Sequence, residues 1–276
     1  MRRVLLLSSC AVLLAAPLAH AADAKRARGL TAAPIVDKNV KARGLTAAQI
    51  VEKNVTARGG LQAWRAIGTL KISGEMDAGG KNDPMLPFVL SLKRPQKSRL
   101  EITFARKDAV QVYDGTRGWK LRPFLNRDDV EPFTAAELKS AAAAAPLDGL
   151  LVDYANKGTR VELAGTERIE KKKTYKLKLT LKDGGQRFVW IDANTFLEAK
   201  SSGEPRKLDG RMRNVAIYSR DYRTVNDVKI PFLLETVVEG VKQSHKIVVK
   251  TVTVNPALED GLFAKPSVAV ARASDR

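Results

Sequence analysis

The stretch NDVKIPFLLETVVEGVKQSHKIVVKTVTV, residues Asn226–Val254, restricts the fold of this chain most strongly. Within Val228–Val238 every second residue is apolar or threonine, which is the period of a β-strand with one buried face. A second alternating run follows Glu239-Gly240, so the stretch predicts two antiparallel strands. The other face of the first strand is mixed, because it carries Leu233 and Val237 beside charged residues. A solvated sheet face is polar, so we expect other parts of the protein, or a ligand, to cover this sheet.

Further alternating runs precede this pair along the chain. They read LKISGEMD, FVLSLKR, RLEITFAR, AVQVYDG, GWKLRPF, TRVELAGTERI, TYKLKLTLKD, QRFVWID, FLEAKSS and RNVAIYSRDYR. Taken together, the runs predict about eleven strands. Pro231 favours an open sheet over a closed one, because proline in a strand belongs at an edge, at a first residue or at a bulge.

Helical patterns occur only near the N-terminus and in the middle of the chain. In the middle, Thr134 and Glu137 form a capping-box pair at the start of an alanine-rich segment. Pro146 ends that segment, and a second one, Leu147–Asn156, also has a helical composition. We predict a mainly β fold with helices (α+β), in which helices cap the concave face of a single strongly curved antiparallel sheet.

The first residues have the pattern of a secretory signal. Arg2-Arg3 is followed by the apolar run Val4–Leu18 and by the small-residue site Ala19-His20-Ala21. Leu7–Cys10 matches the short pattern before a lipid-modified cysteine, but here the cysteine lies within the apolar run and does not close it. We therefore predict a signal peptide at residues 1–21, cleavage after Ala21, and a periplasmic protein. The mature chain then has no cysteine, which excludes a disulfide or a thiolate site.

The chain is strongly basic, with 48 lysines and arginines against 30 acids, a net charge of +18. Cleavage after Ala21 removes two arginines and leaves +16. Nucleic acid does not explain this charge in an exported protein, whereas a transient contact with an anionic membrane surface does, at roughly 1 kcal/mol per well-placed cation. Colloidal solubility is the alternative explanation.

A tandem repeat follows the signal. Residues 27–41 and 42–56 are identical at 12 of 15 positions. Fifteen residues rotate a helix by about 60° net, so one continuous helix could not present the apolar stripes of both copies to the same surface. We therefore expect Gly44 to separate two short helices, with Thr46 as N-cap of the second. The predicted organisation is an N-terminal extension with the duplicated helix at 22–44, a domain at 45–266 and a C-terminal tail at 267–276.

Residues suited to catalysis are sparse. The mature chain has one histidine, His245, and none of the common nucleophile, zinc or phosphate motifs. Asp128-Asp129 fits a solvated turn better than a carboxylate pair, and Asp192–Thr195 fits a β-turn better than a metal site. We predict no catalytic residue, no metal, no cofactor and no enzymatic activity.

Three segments resemble the periplasmic lipoprotein-sorting, LolA-like family. They are RFVWIDANTFLEAK at Arg187–Lys200, RDYRTVNDVKIPFLLETVVEG at Arg220–Gly240, and IVEKNVTARGGLQAWRAIGTLKISGEM at Ile50–Met76. The resemblance implies an unclosed β-barrel of about eleven strands with helices as a lid, over a LolA-like half-barrel domain at 45–266. It also implies a carrier of acylated lipoproteins between an inner-membrane exporter and an outer-membrane acceptor.

We therefore expect a monomeric carrier that binds an acylated lipoprotein or lipid in an apolar concave cavity, with no nucleic acid as partner. The alternative is a periplasmic interaction or scaffold module of a membrane export complex without lipid cargo. Large aromatics in strands are usually core residues, but in a half-open sheet the core wall and the ligand surface coincide. The predicted cavity and lid residues are Ile50, Trp64, Leu90, Leu92, Ile102, Phe104, Trp119, Leu150, Leu151, Trp190, Ile230, Phe232 and Leu234.

Overall fold

A computed structural model describes residues 44–77, 84–123, 127–144 and 146–267. The predicted signal peptide, the first repeat copy and residues 268–276 of the predicted tail lie outside the described residues.

One large antiparallel sheet forms most of the described chain. The strands of the described chain are β1 Thr69–Asp77, β2 Met85–Lys93, β3 Lys97–Phe104, β4 Lys107–Tyr113, β5 Gly118–Arg122, β6 Arg127–Pro132, β7 Arg160–Ile169, β8 Lys172–Thr180, β9 Gln186–Asp192, β10 Glu198–Ser202, β11 Arg206–Leu208, β12 Arg211–Arg213, β13 Val215–Val225, β14 Val228–Val238 and β15 His245–Val254. Of these, β11 and β12 form a separate two-stranded hairpin, and the others form the large sheet. The order in the large sheet is β6-β5-β4-β3-β2-β1-β15-β14-β13-β10-β9-β8-β7. The two edge strands, β6 and β7, do not pair with each other, so the sheet stays unclosed.

Within the described ranges the sheet has 13 strands, which corrects the predicted number of about eleven. The strand that the sequence reading missed is β6, because its acids and Pro132 resemble a loop. Asp129 lies in this strand and not in a turn. A proline at the end of an edge strand removes no hydrogen bond from an interior ladder, so β6 tolerates it.

Pro231 does not lie on an edge strand, because β14 is flanked by β15 and β13. Its place inside the sheet therefore needs another explanation. Pro231 pairs with Tyr222 of β13. On the other side, pairing with β15 begins only at Leu233 and continues to Thr236. Pro231 therefore lies beyond the end of the β14–β15 ladder, where no N–H group is required.

In the described part of the chain, three α-helices accompany the sheet: α1 Ala47–Ala57, α2 Leu61–Arg65 and α3 Ala135–Ala144. The predicted N-cap of α1 is confirmed, because the Thr46 side chain accepts from the Gln49 N–H while the Gln49 side chain accepts from the Thr46 N–H. The capping box of α3 is confirmed in the same way by Thr134 and Glu137.

The sequence predicts a second helical segment at Leu147–Asn156, after α3, and this prediction is wrong. Residues 147–158 form successive turns, in which Gly149, Asp153 and Gly158 adopt left-handed backbone conformations with φ of 77°, 55° and 73°. Such residues interrupt a right-handed helix, so composition alone overestimated the helical content here.

The helices and this turn segment cover one face of the sheet. We call the residues of α1, α2 and 133–159 the cover, and the sheet face they contact the inner face. The segment 133–159 connects β6 to β7, the two strands at the open edges. The outer face is covered near β4 by the C-terminal segment, whose Phe263 packs against Val110 and Val112.

Gly59 sets the distance between α1 and the sheet. Its φ is 110°, and a Cβ at this position would lie 2.1 Å from the carbonyl oxygen of Asp227, just before β14. The neighbouring backbone is fixed by a 3.0 Å hydrogen bond from the Lys229 N–H to the Arg58 carbonyl. Only glycine permits this approach together with this φ.

We predict that Gly59→Ala lowers the free energy of unfolding by about 2 kcal/mol more than Gly60→Ala does, because it adds a clash to the backbone strain. Gly60 is the matched control, since its φ is 90° but a Cβ there would meet nothing within 4 Å. Urea unfolding of the two variants measures the difference. Equal losses would contradict the close approach of Gly59 to Asp227.

Candidate functional site

Most of the inner face is an apolar wall that consists of two packed halves. The larger half joins α2 and the turn segment to β1–β4, β14 and β15. Its buried members are Trp64, Ile67, Leu70, Met76, Leu86, Phe88, Leu92, Leu100, Ile102, Ala109, Leu147, Val152, Val228, Ile230, Phe232 and Val249. Strand alternation explains the composition, since residues two apart on one strand point to one face.

The second half joins α1 to β8 and β9. Ile50 and Val51 of α1 and Leu151 of the turn segment pack on the inner-face residues Leu177, Leu179, Val189 and Ile191. These side chains are almost completely buried. The cover thus fills this part of the inner face with the protein's own side chains.

A cavity of about 300 Å³ remains between α3, the turn segment and strands β9, β10, β13 and β14. Its apolar lining includes Leu150, Leu181, Val215 and Ile217. The volume lies at the lower end of the roughly 300–1,000 Å³ found for ligand pockets. A second cavity of about 60 Å³ lies farther along the inner face and is lined by Leu90, Leu92, Ser98, Leu100, Gln111, Val112 and Ala144.

The rim of the larger cavity is polar. Glu204 accepts hydrogen bonds from Ser140 of α3 and from Arg187 of β9, each 2.7 Å long. Arg206 of β11 also lines the cavity. The cavity therefore combines an apolar wall with a small number of charged groups at one side, the arrangement that orients an amphipathic ligand.

A buried carboxylate attaches the cover to the sheet. Asp148 lies in the turn segment with its side chain 3% exposed. It accepts a 2.8 Å hydrogen bond from Arg94, which follows β2, and another from Lys157. Arg94 also donates to the carbonyl oxygens of Ile67 and Trp64, so one guanidinium joins the turn segment to the end of α2.

Arg58 adds a second attachment at the end of α1. Its guanidinium lies 4.4 Å from the ring centre of Trp64 and donates a 3.2 Å hydrogen bond to the Asp148 carbonyl. The guanidinium is also 3.7 Å from the carboxylate of Glu198 in β10. Charged groups thus hold the apolar cover in place at several points.

Three solved structures share this architecture. A LolA superfamily protein from Nitrosomonas europaea is 14% identical, covers 80% of this chain and 99% of its own, and superposes with a TM-score of 0.54. The chain has the LolA fold. A domain from Vibrio parahaemolyticus with the provisional name of outer membrane lipoprotein-sorting protein is 13% identical, with coverages of 78% and 95% and a TM-score of 0.53. A DUF1329 family protein from Desulfovibrio piger is 13% identical, with coverages of 79% and 97% and a TM-score of 0.54.

The predicted resemblance is thereby confirmed, and at these identities it establishes the fold alone. No protein-family model matches the sequence, and no curated protein does. No helix of the described residues is long and apolar enough to span a membrane. Within the same ranges, no cluster of three or more His, Cys, Asp or Glu residues could hold a metal ion.

Eleven of the 13 predicted site residues lie on the inner face of the LolA fold or in its cover. Leu150 lines the larger cavity, and Leu90 and Leu92 line the smaller one. Ile50 and Leu151 pack together in the cover. Trp64, Ile102, Phe104, Ile230 and Phe232 belong to the larger apolar half. Leu234 is half-buried and shares the face of Phe232, two residues earlier on β14.

The other two, Trp119 and Trp190, lie on the outer face. Trp119 packs with Val110, Val112 and Phe263. Trp190 donates a 2.7 Å hydrogen bond to Glu167, and the ammonium of Lys200 lies 4.2 Å from its ring centre. Both rings therefore have partners on the side away from the cavity.

Sequence reasoning missed the polar rim. Ser140 is inside an alanine-rich helix, and Arg187, Glu204 and Arg206 are spread over 20 residues without a motif. The one available signal is the basic stretch PRKLDGRMR, which interrupts the strand pattern. Of the predicted turns, Asp192 does accept from the N–H groups of Asn194 and Thr195, as a turn requires.

We predict that Asp148→Asn lowers the free energy of unfolding by about 3 kcal/mol at pH 7, because Arg94 and Lys157 then lose their buried carboxylate. Asp153→Asn is the matched control in the same segment. Its carboxylate pairs with Arg65 at 3.0 Å but both side chains are partly exposed, so its loss should stay below about 1 kcal/mol. Urea unfolding measures both.

The ion pairs of Asp148 also predict how the stability of the protein depends on acidic pH. Burial by itself raises the pKa of Asp148, but the hydrogen bonds from Lys157 and Arg94 outweigh it, and the pKa lies below its ordinary value. This stabilisation is fully present above the ordinary aspartate pKa of about 3.9 and is lost as the pH falls through the lowered value. The stability difference between the wild type and Asp148→Asn should therefore shrink below about pH 4. A constant difference would contradict the ion pairs.

Proposed function

We propose that the protein is a periplasmic carrier that binds the acyl chains of lipoproteins or lipids beneath the cover and shuttles them toward the outer membrane. It acts as a monomer and without enzymatic activity. An inner-membrane exporter delivers the cargo and an outer-membrane acceptor receives it. The predicted export signal and the basic surface, suited to transient contact with anionic membranes, agree with this role.

The observation that carries the proposal is the cavity of about 300 Å³ between cover and inner face. An acyl chain needs an apolar enclosure more than directional contacts, because each buried CH₂ contributes roughly 0.8 kcal/mol. Leu150, Val215 and Ile217 offer such a surface. The LolA fold, shared with a domain provisionally named as a lipoprotein-sorting protein, supports the same reading.

The packing of α1 favours a second candidate, an interaction module without lipid cargo. Ile50, Val51 and Leu151 already occupy the inner face above β8 and β9. If the remaining cavity admits no ligand, the fold serves to present its surface to a membrane complex.

The test is the uptake of an uncharged apolar fluorophore, N-phenyl-1-naphthylamine, by the mature protein, with native mass spectrometry of the protein purified from its periplasm. We expect saturable fluorescence enhancement with one site per chain and an acyl-bearing adduct. The nonionic dodecyl maltoside should displace the fluorophore. If the protein shows no fluorophore uptake and no acyl-bearing adduct, the result favours the interaction module.

Ile217→Trp places an indole in the cavity and should weaken fluorophore binding about tenfold or more, equivalent to 1.4 kcal/mol. The matched control is Tyr218→Trp, the next residue of β13, which faces outward and contacts Lys200 and Arg220. An equal effect of the two substitutions would place the binding site elsewhere.

A further inference from the structure

The hairpin of β11 and β12 has an arrangement of charge that the fold does not require. It joins β10 to β13 outside the large sheet. Its strands contain four cations, Arg206, Lys207, Arg211 and Arg213, and its turn contains the single acid Asp209.

Two of these arginines oppose each other directly. Arg206 pairs with Arg213 across the hairpin, where opposed Cβ atoms lie about 4.5–5.5 Å apart and like charges destabilise the pair. Neither guanidinium makes an ion pair with a carboxylate of the described residues, whereas Arg187, Arg220 and Arg223 each do. The two opposed charges thus lack a counter-ion from the described chain.

Among the described residues, Arg206 is also the cation of the cavity rim that has no carboxylate partner. The second cation at the rim, Arg187, is neutralised by Glu204. Burial lowers the pKa of Arg206, so its charge is partly removed from water. Burial also lowers the pKa of the nearby His245 and so favours its neutral form. Asp77 acts on the same histidine and has an interaction partner of its own.

The apolar wall begins beside this charge. Val215 and Ile217 of β13 follow the hairpin directly, and both line the cavity together with Arg206 and Leu150. A molecule with its chain against Val215 and Ile217 would have its polar end at Arg206. Guanidinium groups bind phosphate and carboxylate through two parallel hydrogen bonds.

We propose that Arg206, supported by Arg213, binds the anionic headgroup, a phosphate or carboxylate, of a lipid whose acyl chain occupies the cavity. This inference rests on the proposed function and specifies its ligand class, acyl compounds with an anionic head. The anion supplies the counter-charge that Arg206 lacks among the described residues.

The experiment is isothermal titration calorimetry of the mature protein with three probes: dodecyl phosphate, dodecyl maltoside and inorganic phosphate, each surfactant below its critical micelle concentration. We expect dodecyl phosphate to bind about tenfold or more tightly than dodecyl maltoside. Inorganic phosphate should bind far more weakly than dodecyl phosphate. If it binds as tightly, the site is one for a free anion, and the lipid headgroup is overturned.

Arg206→Gln should abolish the preference for dodecyl phosphate over dodecyl maltoside. Lys207→Gln is the matched control, since it removes the same charge from the adjacent, exposed position on the opposite face of the hairpin. Equal effects of the two substitutions, or of both on binding to anionic vesicles, would indicate general attraction to a membrane and overturn the site. Arg206→Lys, which keeps the charge without the fork, should show an intermediate preference, and urea unfolding verifies that each variant is folded.

The outcomes separate the two proposals. If both acyl probes bind equally and Arg206→Gln changes nothing, the headgroup site is wrong and the carrier stands. If neither acyl probe binds, the carrier is wrong. Phosphate binding that Arg206→Gln removes would then assign an anion site to a protein without lipid cargo.

Discussion

The structure depends on how an unclosed sheet satisfies its apolar inner face. A closed barrel has no free edge and encloses its own core, but here β6 and β7 remain apart and the inner face needs separate cover. The protein covers it with turns and with helices of 11 residues or fewer, a length at which an isolated helix is marginal in water. Asp148, with Arg94 and Lys157, fixes this cover to the sheet. The apolar contacts supply the area, and the buried carboxylate determines where the cover lies.

The fit between cover and sheet differs between its parts. α1 packs closely on β8 and β9, whereas α3 is rich in alanine and leaves space above β10 and β13. Small side chains on α3 therefore create the cavity as much as the sheet does. Ala143 and Ala144 line it, and larger residues at these positions would fill the space that we propose for an acyl chain.

The sequence allowed prediction of most strands, the N-cap of α1, the capping box of α3 and the resemblance to the LolA fold, because these depend on local patterns. It did not predict β6, whose acids and Pro132 suit a loop as well as an edge strand. It also misplaced Trp190 and Trp119. Trp190 follows Val189 and precedes Ile191, and all three are buried, so this run has no alternation that could identify the inner face. The rim of the cavity depends on which strands become neighbours across β10, and that pairing has no local signal.

The connection between β6 and β7 has a mechanical consequence. The segment 133–159 both bridges the open side of the sheet and forms part of the cover over the cavity. Its two ends are covalently joined to the two free edges, so the position of this segment over the cavity is coupled to the distance between β6 and β7. Spreading the edges draws α3 and the turn segment outward, and lifting the segment pulls on β6 and β7 together. A ligand that lifts this segment on entering beneath α3 therefore pulls on both free edges of the sheet.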